Sequence, residues 1–247
     1  MGKKSNIKTA ISIDEAWKLY NQKKFDDALL IFNKLLAKGK NEEALYGRAC
    51  SFFRTTDVES ALVDLTELVK KDNQSIRYLH SRALIYGANE QYDKAVKDMQ
   101  KLSEFFPDNG EVLCDLGGLY LIMEEYSKAR ECFERSADIE KSCPCAWFGK
   151  GMVALGMKEY KKAVEYFNIA IKLDAKHKLS YMARAEALFG SGQKKEALKD
   201  IKKSLNMDKG FFDEFSDILP SVENDSVDTK EERQNRTLDD EDAMEVY

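Results

Sequence analysis

The chain has 247 residues, 34% of them charged and 43% hydrophobic, with only three prolines and a formal net charge of -5. This balance suits a soluble, mostly helical protein. No apolar stretch approaches the roughly 18 residues that a membrane-crossing helix needs, and the opening MGKKSNIKTAIS has no apolar core of a secretory signal, so the expected location is the cytosol, with the nucleus as second compartment.

Residues 1–8 are expected to be disordered. From there a short pattern recurs: a run such as FDDA, YDKA, YSKA or YKKA places Ala28, Ala61, Ala95, Ala129, Ala163 and Ala197 in one column, the first interval being 33 residues and the next four 34. Four residues after each alanine stands an apolar side chain (Phe32, Leu65, Met99, Phe133, Phe167, Ile201), and three further on a small or apolar one. Both offsets fall on one face of a helix. Upstream, a second periodic segment carries small residues at Ala16, Cys50, Ala83, Gly117, Gly151 and Ala185, which would let two helices cross closely. The pattern predicts six helix pairs, over 9–42, 43–75, 76–109, 110–143, 144–177 and 178–210. The first pair is weakest, with Ser12 and Glu15 reading as a capping box, and the second is expected to have lost one residue from its internal turn. Residues 211–222, FFDEFSDILPSV, read as an amphipathic helix capping the last pair, and 223–247 as a disordered acidic tail. From Asp213 onward 13 acidic residues face three basic ones, so the tail carries about -10 and the body about +5.

The period and the residues Leu113, Leu116, Gly117, Tyr120, Ala129 and Phe133, with Trp147 in the next unit and Pro107 closing the one before, resemble the tetratricopeptide repeat. That resemblance runs from about Thr9 to about Asp208 and implies an all-α, right-handed superhelical solenoid of antiparallel helix pairs. It also implies a concave groove lined by the second, fifth, sixth, ninth, twelfth and thirteenth residues of each first helix. Carried over by position, the groove candidates are Arg48, Ser51, Arg54, Arg77, His80, Ser81, Asp115, Phe148, Met152, Met182 and Glu186, while Leu155, Leu179 and Phe189 are assigned to packing. The arginines at one end and Met and Phe at the other predict a protein partner, a peptide or helix with acidic and apolar portions.

The family's carboxylate clamp for the acidic tails of heat-shock chaperones is not matched. Ile13, Trp17, Arg48, Arg77 and Ser81 stand at its positions, and only Arg77 keeps the expected charge. The chain's own ending, DDEDAMEVY, is locally similar to such a tail; it reads first as an acidic tail that solvates, with occupation of the arginine end, in cis or from another copy, as the alternative.

Chemistry is sparse. There is no phosphate-binding glycine loop, no HExxH and no nucleophile elbow, and the two histidines, His80 and His177, have no Ser or Cys partner at a family spacing. Cys143, Cys145 and His177 lack the second ligand pair of a zinc site, and five cysteines without a secretory signal read as reduced thiols. No enzyme activity, cofactor or metal is expected. A sequence pI near 5.4 and the acidic tail argue against nucleic acid. The expected function is a protein-interaction adaptor or scaffold, with a co-chaperone holding apolar client segments as one form. The alternative is a structural subunit packed permanently into a larger complex or against itself.

Overall fold

The computed structural model describes residues 12–207. The chain divides into a first unit, Met1–Ala175, and a second, Lys176–Tyr247. Within the described residues the first unit holds ten helices: α1 (Ile13–Asn21), α2 (Phe25–Ala37), α3 (Glu42–Arg54), α4 (Val58–Lys71), α5 (Ile76–Ala88), α6 (Tyr92–Phe105), α7 (Gly110–Ile122), α8 (Tyr126–Ile139), α9 (Pro144–Gly156) and α10 (Tyr160–Leu173). The second holds α11 (Lys178–Gly190) and α12 (Lys194–Asn206). No strand occurs among the described residues, so the fold is an all-α array of helix pairs. The segments read as N-terminus, capping helix and acidic tail lie outside them.

The first helices α1, α3, α5 and α7 start on side-chain caps that satisfy unpaired amides. Ser12 accepts from the Glu15 N–H at 3.2 Å, Asn41 from Ala44 at 2.9 Å, and Asn109 from both Glu111 and Val112 at 3.1 Å, while α9 starts on Pro144. Each pair then folds back through the same turn. A residue in the left-handed region (Lys23, Thr56, Glu90, Glu124, Lys158, and Gly192 in the second unit) lets the next amide reach a carbonyl five residues earlier. The bond runs from Asp57 to Phe52 at 2.9 Å, from Gln91 to Tyr86 at 2.8 Å and from Glu159 to Ala154 at 2.8 Å.

This turn is therefore complete in the second pair, contrary to the sequence expectation. The missing residue lies in the preceding connection: Phe25 to Glu42, from the start of α2 to that of α3, spans 17 residues, whereas Val58 to Ile76, from α4 to α5, spans 18. The helix α3 begins one residue earlier than the expected 43–75 boundary.

Packing follows the alanine column. Ala28, Ala61, Ala95, Ala129, Ala163 and Ala197 are all completely buried where second helices cross first helices. The residue four positions on fills the gap beside that crossing, and in the fourth pair the fit is tight. A methyl group added at Gly149 would stand 2.2 Å from the Phe133 ring, and one at Gly117 2.9 Å from it. The ring thus occupies a slot between α7 and α9 that exists only because both residues lack a Cβ.

Three pairs carry a further tie. Arg48 grips Asp64 with two hydrogen bonds of 2.7 and 2.8 Å, Arg82 grips Asp98 at 2.7 and 2.7 Å, and Arg184 grips Asp200 at 2.6 and 2.6 Å. Each joins the first helix of a pair to its second, 16 residues on, with two parallel bonds that fix orientation. Asp98 is only 3% exposed, so removing its partner strands a buried charge. Arg82→Met is expected to lower unfolding free energy by about 3–5 kcal/mol, and the double change Arg82→Met, Asp98→Leu to recover most of it, as read by denaturant titration. Equal losses from the single and double variants would contradict this account.

Candidate functional site

In the first unit the first helices place their free faces side by side, and polar residues one repeat apart meet across the seams. Arg77 on α5 donates two hydrogen bonds to Glu43 on α3, at 2.6 and 2.8 Å, and its guanidinium lies 3.8 Å from the centroid of the Tyr46 ring. The Tyr46 hydroxyl is 2.8 Å from the Ser81 hydroxyl, and His80 Nε2 is 2.7 Å from an Asp115 carboxylate oxygen on α7. The Arg77 hydrogen bonds hold the Glu43 carboxyl below its ordinary range. The Asp115 hydrogen bond, opposed by burial, raises the His80 imidazole above its own.

These contacts correct the register of α3. Because the helix starts early, its groove positions are taken by Glu43, Tyr46, Cys50 and Arg54. Arg48 turns away to Asp64 and Asn33, and Ser51 is fully buried, donating to the Gly47 carbonyl at 2.8 Å. Neither lies on the groove, so both assignments are withdrawn. Arg54 is exposed and lies 5.2 Å from the Phe25 ring centroid. Arg77, His80, Ser81 and Asp115 come together in the polar ladder, with Arg77 already engaged, so the guanidinium groups expected to recruit an acidic partner are largely taken up within the protein. Met182 and Glu186 lie exposed on α11 of the second unit, one helical turn apart.

Beyond His80 and Asp115 the face turns apolar. A cavity of about 410 Å³ opens between α5, α7 and α9, lined by Leu84, Gly87, Cys114, Gly118, Ile122, Phe148 and Met152 among others. Phe148 and Met152, two of the expected groove residues, line this cavity. Leu84 and Ile122 were missed as site residues, although they stay 55% and 59% exposed, high for aliphatic side chains with a core one helix away. Cys114, Asp115 and Cys145 form a shared wall with a second recess of about 900 Å³, whose rim carries Asp108, Glu111 and Glu140. The cleft is therefore apolar on one side of Asp115 and acidic on the other.

The Asp115 contact stabilises protonated His80. Because the folded pKa lies above the unfolded one, this contribution is fully present below about pH 6.5 and is lost as pH rises through the raised value. A proton NMR titration is expected to place the His80 midpoint above 6.5, and Asp115→Asn to bring it down toward that value. An unchanged midpoint in the variant would show that Asp115 is not the cause.

Comparison with known proteins agrees with the repeat fold. The family model described as "Tetratricopeptide repeat" matches residues 76–109, 110–143 and 146–177. Human tetratricopeptide repeat protein 13 is 26% identical over 134 residues, covering 52% of this chain and 16% of that protein. The Drosophila melanogaster BBSome complex member BBS4 homolog is 27% identical over 151 residues, covering 56% and 30%. The chain thus spans less than a third of either relative. Among solved structures, a tetratricopeptide repeat protein from Parabacteroides merdae superposes with a TM-score of 0.71 at 21% identity, covering 79% of this chain and 78% of that one. MamA from Desulfovibrio magneticus superposes with a TM-score of 0.60 at 17% identity, covering 70% and 97%. Repeat spacing, helix-pair packing and the three matched units together make residues 76–177 a run of tetratricopeptide repeats within a solenoid of the same fold.

Proposed function

We propose that the protein is an interaction adaptor that takes a segment of a partner protein into the cleft between α5, α7 and α9. The observation that carries this reading is the two-sided cleft itself. The apolar chamber, with Leu84 and Ile122 held out at its edge, leaves a surface that water covers poorly and a bulky apolar side chain would fill. The adjoining recess, with Asp108, Glu111, Asp115 and Glu140, favours a cation.

The partner segment is accordingly apolar and basic, with a large aliphatic or aromatic residue within a few positions of Lys or Arg. This replaces the acidic portion expected from sequence, whose intended ligands Arg48 and Arg77 are bound to Asp64 and Glu43. Burying one such apolar side chain contributes about 1.5–3 kcal/mol. Cationic contacts at the rim add mainly orientation and rate.

Selection of a random peptide library on the full chain tests the reading. Enriched peptides are expected to pair a bulky apolar residue with Lys or Arg, and Ile122→Glu is expected to weaken them at least tenfold. Ile122 is mostly exposed, so this change spares the fold. Enriched peptides that are acidic would overturn the partner class, and peptides indifferent to Ile122→Glu would move the interface off this cleft.

A further inference from the structure

The wall between the two recesses carries two cysteines from neighbouring helices. Cys145, the second residue of α9, is exposed, whereas Cys114, in the second turn of α7, is only 4% exposed. Both side chains line both recesses, Cys143 lines only the second, and Cys114 Sγ lies 3.2 Å from the Ser136 hydroxyl.

We propose that Cys145 and Cys114 are an oxidisable thiol pair, a modification site for a hydroperoxide in which Cys145 reacts first and Cys114 resolves the product. The assignment rests on the meeting of an open thiol and a sheltered one in a cleft that a small oxidant can enter, and it stands independently of the partner reading. In the first step the Cys145 thiolate attacks one oxygen of hydrogen peroxide, the O–O bond breaks, and sulfenic acid and hydroxide result. In the second, Cys114 gives its proton to water or hydroxide and attacks the Cys145 sulfur. The S–O bond breaks, hydroxide leaves and the disulfide forms. The balance is two thiols and one hydrogen peroxide giving one disulfide and two waters.

The electrostatics support this division of roles. The hydrogen bond from Cys114 holds the Cys145 thiol below its ordinary range, against burial and against the nearby Cys143, Asp115 and Glu111. The same contact, together with burial, pushes Cys114 well up. The attacking sulfur is the more ionised one. Cys50 and Cys132, both raised chiefly by burial, serve as internal controls.

The test is peptide mapping without reductant after the full chain meets a small excess of hydrogen peroxide. The expected result is a disulfide joining the peptide of Cys114 to that of Cys145 within one chain, reversed by dithiothreitol, with Cys145 oxidised at least ten times faster than Cys50 or Cys132. Cys143→Ser is expected to leave the link intact, Cys145→Ser to abolish it, and Cys114→Ser to leave a sulfenic acid at Cys145 that dimedone traps. Oxidation of Cys145 no faster than Cys50, or a link that runs through Cys143 or between two chains, would overturn the proposal. Mapping on the unaltered chain keeps the result independent of how well the variants fold.

Discussion

One steric constraint organises the first unit: a large side chain from each second helix must find room beside closely packed first helices. In the fourth pair the constraint is visible at atomic scale, because Phe133 lies where the side chains of Gly117 and Gly149 would be. Phe32 does the same against Gly47, and Phe167 against Gly151. The alanine column brings the helices of a pair together, and the ring of one pair then sets how the first helix of the next is seated. Stability in such an array is a sum of pair and neighbour terms, so the aromatic slot acts at both levels.

The groove chemistry follows from that seating. Helices α3, α5 and α7 lie close enough for residues about one repeat apart to pair, and the polar groups spend their bonding capacity on one another: Glu43 with Arg77, Tyr46 with Ser81, His80 with Asp115. The exposed Glu43–Arg77 pair adds little stability, typically below about 1 kcal/mol for such a contact. The larger effect of these pairings is to leave the groove with few unsatisfied charges in its first half. Past Asp115 the surface becomes an apolar chamber beside an acidic recess. The contrast between apolar and acidic surface is therefore concentrated on α7 and α9, where Cys114 and Cys145 also sit.

Much of the fold could be read in the sequence because a strict 34-residue interval repeats the same buried alanine. The register of α3 could not. Ala28 and Ala61 are 33 residues apart whether the missing residue leaves the turn inside a pair or the connection before it, and the alanine column cannot tell the two apart. That single ambiguity rotated Arg48 and Ser51 onto the wrong face. A clue was present in the repeated Arg and Asp columns, Arg48 with Asp64 and Arg82 with Asp98, but Leu116 and Lys150 interrupt the first column, and Cys132 and Tyr166 the second. The meeting of Cys114 with Cys145 needs the packing of two helices, and no local spacing encodes it.

The most direct measurement is the stability of Gly149→Ala against Gly118→Ala. Both changes favour the helix by up to about 1 kcal/mol in propensity, but a methyl group at Gly149 collides with Phe133, whereas one at Gly118 meets nothing within 4 Å. Overfilling a tight core site costs about 1–3 kcal/mol. Denaturant titration should show Gly149→Ala destabilised by that order, with faster amide exchange along α7 and α9, and Gly118→Ala unchanged or more stable. Equal stability of the two variants would contradict the claim that the aromatic slot sets the packing of the first helices.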